Sequence, residues 1–256
     1  MGELLGIFAL WYREFKVFLR EKSRIVSSIV NPLLWLLIIG GGLGASVSIK
    51  GFNYQTFIYP GTLAQTILFS SIFFGVYIVW DRKVDFLKEV LVAPISRTST
   101  FIGKVLGGAT DSLLQSFFLL MIGFALSSFG IIPGLELNVF TILFSLAIVF
   151  IAVTGFVSVG LIIGSQMESP EGFQLIGSFL IFPLFFLSGA LFPINNLPAY
   201  IAPITFIDPV TYTVDALRGV ILGNSVFHVG FDLSIVAAFS LAMIIIGTVA
   251  FDKMKV

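Results

Sequence analysis

Long stretches without a charged side chain constrain this chain more than any other feature of its sequence. A helix needs about 20 apolar residues to cross the hydrocarbon core of a bilayer. The run from 172 to 207 is too long for one span, and its prolines end a helix after about Phe192. The pattern therefore predicts six membrane-spanning helices. The runs free of Asp, Glu, Lys and Arg cover residues 25–49, 51–80, 112–135, 137–167, 172–207 and 233–251.

The composition excludes a water-soluble domain. Charged residues make up 11% of the 256 residues, against about 25% in soluble domains, and the mean hydropathy is +1.07. The formal net charge of zero gives no electrostatic reason to expect a nucleic-acid partner. No cysteine is present, which excludes disulfides and thiolate metal ligands. We expect one all-α integral membrane domain over residues 1–256, without a metal site.

Basic residues predict the orientation of the spans. Twelve of the 14 Lys and Arg residues fall in the terminal segments or in the loop between the second and third spans, and only Lys50 and Arg218 fall on the other side. Because cytoplasmic segments are enriched in Lys and Arg, both termini are expected to be cytoplasmic. The lack of a transit segment favours a multi-pass protein of a prokaryotic plasma membrane.

Three segments outside the spans carry patterns of their own. In residues 1–24, apolar residues recur at helical spacing beside Arg13 and Lys16, which predicts an amphipathic helix at the membrane interface. A leader that only supplies positive charge is the alternative. In residues 81–104, an apolar helical face precedes Ala93-Pro94, which predicts either a short helix that docks on a partner or a solvated turn.

The third segment, residues 193–230, follows the fifth span. Asp208-Pro209 is typical of a helix N-cap followed by proline at the first helical position, and Gly223 is typical of a helix end. The sequence predicts a helix from Val210 to Leu222 that lies at, or re-enters, the outer membrane face. Asp215 and Arg218 are three residues apart on it and are expected to pair.

These features together resemble the membrane subunits of ABC-2 type exporters, also called type V. The resemblance covers nearly the whole chain and rests on the basic helix before the first span, on Glu89-Val90-Leu91-Val92-Ala93-Pro94-Ile95-Ser96-Arg97, and on two outer stretches. Asp208 stands where the family pattern has Asn, and Asp caps a helix equally well. The family-motif residues of the outer segment are Ser188, Gly189, Pro193, Pro198, Asp208, Pro209, Tyr212 and Arg218.

The resemblance implies a division of labour between chains. A second copy or a homologue would complete the pathway, two ATP-binding subunits would dock on the cytoplasmic side, and ATP and Mg²⁺ would be bound there. This chain is expected to bind no cofactor, to have no catalytic residue and to be no enzyme, because its only Gly-Lys pair, Gly103-Lys104, lacks the other residues of a phosphate-binding loop. The helix from Asp81 to Arg97 would transmit the ATPase movement. The coupling residues implied are Asp85, Lys88, Glu89, Pro94 and Arg97.

Polar residues within the spans are few. Gln65, Gln115 and Gln174 are expected to face protein rather than lipid, and Asp111 is expected either to pair structurally or to lie in the pathway. The 29 phenylalanines allow a path for an amphipathic drug, lipid or glycan-lipid, although packing and lipid contact are the plainer explanation for them. A secondary transporter or channel remains the alternative function. An intramembrane protease is disfavoured by the single histidine and the single membrane carboxylate.

Overall fold

The computed structural model describes residues 2–44, 46–49, 51–196, 198 and 200–254. The side chains of Arg24, Lys88, Leu91 and Asn196 lie outside the described part, as do Lys50 and Lys255, which entered the charge count above. The longer helices are α1 (Gly2–Arg20), α2 (Lys22–Leu34), α4 (Tyr54–Phe73), α7 (Arg97–Ser128), α8 (Val139–Gln166), α9 (Pro170–Leu187), α11 (Pro209–Leu222) and α12 (Val229–Asp252). The shorter elements are a π-helix (Trp35–Gly40), α3 (Gly41–Gly44), β1 (Ser48–Ile49), β2 (Phe52–Asn53), α5 (Val76–Lys83), α6 (Phe86–Val92), a 3₁₀ turn (Ile194–Asn196) and α10 (Ala202–Thr205).

The prediction of six membrane-spanning helices is confirmed. Six helical stretches of the described residues are long and apolar enough to cross a membrane. Within the first span the α-helix gives way to a π-helix three residues after Pro32, as expected where proline interrupts the hydrogen-bond ladder. The spans are Ile25–Gly44, Tyr54–Lys83, Arg97–Ser128, Val139–Gln166, Pro170–Leu187 and Val229–Asp252.

The third span begins earlier than the charge-free run predicts. Helix α7 starts at Arg97, capped by the Ser96 hydroxyl, and takes in both Lys104 and Asp111. Its 32 residues give a length of about 48 Å, more than a bilayer core requires. Lys104 and Asp111 are tolerated in this helix because both side chains are buried against protein rather than exposed to lipid.

Helices α4 and α8 form the centre of the bundle. Helix α8 packs against α4, α7, α11 and α12. At the break between α4 and α5, Gly75 lies directly on Gly160, and Gly164 lies directly on Gly75, so closely that a Cβ atom at any of the three would overlap a backbone carbonyl. Gly160 and Gly164, four residues apart on α8, thereby form a site of close helix packing.

Helix α1 lies beside the first half of α7 rather than standing apart from the bundle. Gly103 and Gly107 of α7 allow this approach, because Cβ atoms there would crowd the side chains of Leu10 and Glu14. Leu10, Glu14 and Phe18 form the buried face, whereas the apolar side chains of Leu4 and Phe8 are exposed. Only the flank of α1 turned away from α7 is free to meet a membrane surface.

The segment predicted as one helix from Asp81 to Arg97 is divided into three pieces. Helix α5 ends at Lys83, Asp85 adopts the left-handed conformation with φ +58°, and α6 then runs only from Phe86 to Val92. A non-glycine residue with positive φ interrupts helical hydrogen bonding, which explains the break. Pro94 ends α6 as predicted, and Arg97 already belongs to α7.

Candidate functional site

A buried ionic cluster joins three elements at the end of the bundle that holds both termini. The Lys104 ammonium, with no exposed surface, lies 2.5 Å from the Glu14 carboxylate and also contacts the Asp81 carboxylate. Arg13 completes the cluster at 2.6 Å from Glu14 and 2.7 Å from Asp81. Two cations and two carboxylates thus compensate one another, as a buried ionic cluster requires.

The same cluster reaches the short helix α6. Desolvation lowers the pKa of Arg13, but the carboxylates of Glu14 and Asp81 raise it more, so the pKa lies above its ordinary value. The guanidinium also lies 4.0 Å from the centre of the Phe86 ring, a cation–π contact. Arg13 therefore fastens α6 to α1 and to the end of α5.

The predicted coupling residues take two different positions. Asp85, Glu89 and Pro94 are exposed on α6 and its ends, while the side chain of Lys88 lies outside the described residues. Arg97 points back into the bundle, where it donates to the backbone oxygens of the last turn of α12 and its end. Arg97 thereby holds the end of the sixth span, a role that its sequence context did not predict.

A largely apolar groove separates α1 from α6. It has a volume of about 430 Å³, with Arg13, Glu89 and Val90 among its lining residues. Leu87 and Val90, from the predicted apolar face of α6, are buried against the chain itself. Among the described side chains of α6, Glu89 and Val92 are exposed, and Glu89 lies at this groove.

The outer helix α11 forms as the sequence predicts. The Asp208 carboxylate accepts a hydrogen bond of 2.9 Å from the Val210 backbone, Pro209 is the first helical residue, and Gly223 ends the helix at φ +65°. Helix α11 packs on α4, α8 and α12, so it re-enters the bundle. Burial raises the pKa of Asp208 to about 7, despite the capping hydrogen bond that lowers it.

Arg218 connects this helix to the turn after the fifth span. Its guanidinium donates to the Gly189 carbonyl oxygen at 2.9 Å and lies 4.2 Å from the centre of the Phe57 ring. Burial lowers the pKa of Arg218 to about 10, against the opposing effect of Asp215. Gly189 needs its positive φ of +79° at the turn, and Ser188 caps the preceding helix by donating to Phe185.

The remaining motif residues lie around this connection. The Tyr212 hydroxyl donates to the Phe206 carbonyl at 2.7 Å. Pro193 is buried in the turn, and Pro198 is exposed. Ser188, Gly189, Asp208, Pro209, Tyr212 and Arg218 thus stabilise one folded unit, whereas Pro198 lies at its surface.

The expected pair between Asp215 and Arg218 is wrong. In the described structure no ion pair joins them, because each side chain has a different partner. The Asp215 carboxylate accepts backbone hydrogen bonds of 2.8–2.9 Å from Val226 and Phe227, in the loop that leads into α12. Backbone donors 11 and 12 residues ahead cannot be inferred from helical spacing.

Three of the four predicted polar residues of the spans come together. Gln65 and Gln115 line one cavity, and the Gln115 amide donates to Asp111 at 2.7 Å. Gln174 lies apart, exposed on α9 in a separate depression of about 630 Å³. Lys104, the cation nearest to Asp111 along the chain, is held instead by Glu14 and Asp81.

Comparison with known proteins decides the family. The family model described as ABC-2 type transporter matches residues 6–222. The chain belongs to the ABC-2 type transporter family. It is 29% identical over 219 residues to ycf38 of Cyanophora paradoxa, covering 83% of this chain and 72% of the relative. It is 25% identical to Nodulation protein J of Rhizobium meliloti (strain 1021) and to the inner membrane transport permease YadH of Escherichia coli (strain K12), each over 94% of this chain and 90% of the relative.

Membership of the ABC-2 family makes this chain a transport permease. Its six apolar helices and its similarity to an inner membrane permease assign it, as a multi-pass protein, to the bacterial plasma membrane. Gly103-Lys104, the one sequence hint of a phosphate-binding loop, lies inside α7, where Lys104 is engaged by carboxylates. Among the described residues no three acidic or histidine side chains cluster as a metal site would require.

The ABC-2 motifs did not reveal the ionic cluster. Lys104 and Asp81 mark the limits of the predicted cytoplasmic loop, and Glu14 was not singled out. The partners are 90 and 23 residues from Lys104 along the chain. The signal that the sequence offered was the position of Lys104, a few residues before a long apolar run. If the spanning helix begins before Lys104, the buried ammonium needs a carboxylate to compensate its charge.

Proposed function

We propose that this chain is the membrane-spanning permease subunit of an ATP-driven exporter, powered by separate ATP-binding subunits and paired with a second permease chain. The observation that carries the proposal is the ionic cluster of Arg13, Glu14, Asp81 and Lys104. It links α6, the segment that resembles the family's coupling helix, to the ends of two spans. A displacement of α6 would be transmitted to the second and third spans through these contacts.

The exposed surface of α6 supports docking of an ATP-binding subunit. Glu89 presents an exposed carboxylate at the groove between α1 and α6. Buried contacts with α1 and α5 hold α6 in place, so the surface is preorganised for a partner, which lowers the entropic cost of binding. ATP and Mg²⁺ would be bound by that partner.

Helix α9 supports pairing with a second copy of this chain. Its outward face combines Phe179 and Phe182 with polar residues, including Glu171 and Gln174. A carboxylate and an amide are costly against hydrocarbon, so this face suits a protein neighbour better than lipid. On the outward face of α12, by contrast, Leu241, Ile245 and Val249 are exposed apolar side chains.

The pathway between the two copies would carry an amphipathic substrate. Asp111, near the middle of the third span, is buried and accepts a hydrogen bond from Gln115, and the other described spans hold no charged side chain near their centres. This distribution disfavours fixed-charge solutes, and aromatic rings line the α4–α9 contact. A drug-like molecule, a lipid or a glycan-lipid fits these surfaces. A secondary transporter or channel would need no ATP-binding partner, and this difference provides the test.

The test is purification of the chain from native membranes in mild detergent, followed by mass spectrometry of co-purifying proteins. We expect a stoichiometric soluble subunit with a phosphate-binding loop. Glu89→Arg should reduce its recovery several-fold, because the substitution reverses an exposed charge of α6. Glu136→Arg, also an exposed reversal but in the loop between α7 and α8, is the matched control. Recovery of the permease without an ATP-binding subunit would favour transport without ATP. Normal recovery of the ATP-binding subunit with the Glu89→Arg permease would show that Glu89 of α6 is not part of the docking surface.

A further inference from the structure

An exposed row of side chains runs along helix α1. Leu4, Phe8, Tyr12, Lys16 and Arg20 follow one another at intervals of four residues, and all five are exposed. Residues four apart share one face of a helix, so the row forms a single strip, separate from the face that α1 buries against α7. The first three members of the row are apolar or aromatic, and the last two are cations.

Neighbouring members of the row contact one another. The rings of Phe8 and Tyr12 are stacked with 5.9 Å between their centres, and the Lys16 ammonium lies 4.5 Å from the centre of the Tyr12 ring. Leu4 is 75% exposed and Phe8 is 56% exposed. A helix with an open apolar strip and cations beside it is typical of a helix that lies in a membrane interface.

The cationic end of the row adjoins the point where the chain enters the membrane. Helix α1 ends at Arg20, α2 begins at Lys22, and the first span begins at Ile25. Lys22 is exposed and precedes the span by three residues, which is about 4.5 Å of helix rise. Because Lys and Arg side chains are long and extend their charges towards the head groups, Arg20 and Lys22 lie within reach of lipid phosphates.

The carboxylates of α1 and of its junction with α2 belong to other contacts. Glu14 is part of the buried ionic cluster. Glu21 accepts a hydrogen bond of 2.7 Å from the Tyr77 hydroxyl, and Glu3, at the far end of α1, accepts hydrogen bonds of 3.0–3.1 Å from Ser96. The exposed row itself therefore holds two cations and no carboxylate.

The row is also distinct from the groove beside α6. The α1 residues that line this groove are Gly6, Ala9, Leu10 and Arg13. None of them belongs to the row, so an ATP-binding subunit docked on α6 and the groove would use a different strip of α1. The row instead continues towards the first span, which favours lipid as the material that covers it.

We propose that the exposed row of α1 binds anionic phospholipids of the cytoplasmic leaflet. Phe8 and Tyr12 would lie among the upper parts of the acyl chains, while Lys16, Arg20 and Lys22 would contact phosphate groups. A zwitterionic head group carries its own cation and offers no net charge to these side chains. The bound lipids would surround the permease rather than be its substrate, and the contact requires no ATP-binding subunit.

The experiment places a fluorescent reporter beside the cations. Leu19, exposed on α1 next to Arg20, is replaced by cysteine and labelled with bimane, and the chain contains no other thiol. The labelled permease, with its co-purifying subunits, is reconstituted in vesicles of equal parts phosphatidylglycerol and phosphatidylcholine. In one sample only the phosphatidylglycerol is brominated on its acyl chains near the head group, and in the other only the phosphatidylcholine.

The ratio of bimane quenching in the two samples measures which lipid is enriched at α1. We expect phosphatidylglycerol to be favoured about fivefold, the factor that one cation close to an anionic surface contributes. About 1 M salt should reduce the preference, because it shortens the screening length to about 3 Å. Adding Lys16→Gln and Arg20→Gln should bring the ratio close to one. Lys253→Gln, at an exposed lysine after α12, is the matched control and should leave the ratio unchanged.

Three outcomes would overturn the lipid site. Equal quenching by the two brominated lipids would show that the row does not select anionic lipid. An unchanged preference in the Lys16→Gln/Arg20→Gln protein would show that these cations do not cause it. Absence of quenching by either lipid would show that protein, and not lipid, covers the row. None of these outcomes affects the exporter proposal, which depends on co-purification of an ATP-binding subunit.

Discussion

At the scale of single residues, Lys104 is the side chain whose surroundings are least usual for its type. A fully buried ammonium is tolerated because Glu14 and Asp81 supply two carboxylates and Arg13 balances the second charge. Removing one member leaves uncompensated charge in an apolar interior, which is far more costly than the net value of the cluster itself.

Lys104→Met should therefore destabilise the protein by about 3–5 kcal/mol, the range typical when one partner of a buried ion pair is lost. The measurement is the free energy of unfolding of the detergent-solubilised permease. Lys83→Met is the matched control because Lys83 is exposed at the end of α5. Equal stability of Lys104→Met and wild-type protein would show that the cluster contributes nothing to folding.

Asp208 gives a prediction on pH dependence. Its pKa in the folded protein, about 7, lies above the ordinary value of 3.8 because of burial. Between about pH 4 and pH 7 the folded chain keeps a proton that the unfolded chain releases, so stability falls as pH rises through this window and is constant above it. Asp208→Asn keeps the helix cap and removes the titration.

We expect Asp208→Asn to be more stable than wild type at pH 8, by on the order of 1–4 kcal/mol, and to flatten the pH profile of the unfolding free energy. Thermal unfolding in detergent at a series of pH values measures this. Asp252→Asn, at an exposed position, should leave the profile as it is in wild type. A wild-type profile that is already flat from pH 4 to pH 7 would contradict the assignment.

At the scale of elements, the close contact between the α4–α5 break and α8 depends on three glycines. A Cβ atom at Gly75 would overlap the Gly160 carbonyl, and backbone cannot move aside as a flexible side chain can. Gly75→Ala should therefore separate the helices and reduce the yield of monodisperse protein, at a cost of about 1–3 kcal/mol or more. Gly42→Ala is the control, since a Cβ there meets nothing within 4 Å. Equal monodisperse yields for both variants would contradict close packing at this break.

The elements also show which parts of the fold local sequence determines. The helix α11 was predictable within one residue, because Asp208, Pro209 and Gly223 are local signals for its two ends. The start of α7 was not predictable, because Lys104 is neutralised by residues distant in the chain. The break at Asp85 was not predicted, because nothing in the local sequence requires a residue in the left-handed conformation there.

The candidate site residues also differ in whether the local sequence predicts their contacts. Asp208 and Pro209 act through their own helix end, so their structural role follows from spacing. The partners of Asp215 and Arg218 lie in a following loop and a preceding turn, and the rule for neighbours three residues apart on a helix gave the wrong pair. The convergence of Gln65 with Gln115 needs the packing of α4 on α7, which periodicity does not specify.

At the scale of the whole molecule, the outward face of α9 determines how two permease chains would meet. A two-fold axis brings the same surface of each copy together, so a residue near the axis approaches its own equivalent. Phe179 is 74% exposed on this face, beside the polar groups that make it unsuited to lipid. Since the chain has no cysteine, a single introduced thiol reports contacts without background.

Phe179→Cys should accordingly form a disulfide-linked dimer when native membranes are treated with a mild oxidant, as seen on a non-reducing gel. Leu241→Cys is the control, because Leu241 is similarly exposed, at 61%, on the apolar face of α12 and is expected to face lipid. Cross-linking of the Leu241→Cys protein but not of the Phe179→Cys protein would show that the interface lies on α12 instead. A monomer with both variants would favour a different chain as the second permease, since a heterologous partner lacks the matching thiol. The polarity of α9 argues for the first outcome, because two copies meeting there would shield Glu171 and Gln174 from hydrocarbon in both chains at once.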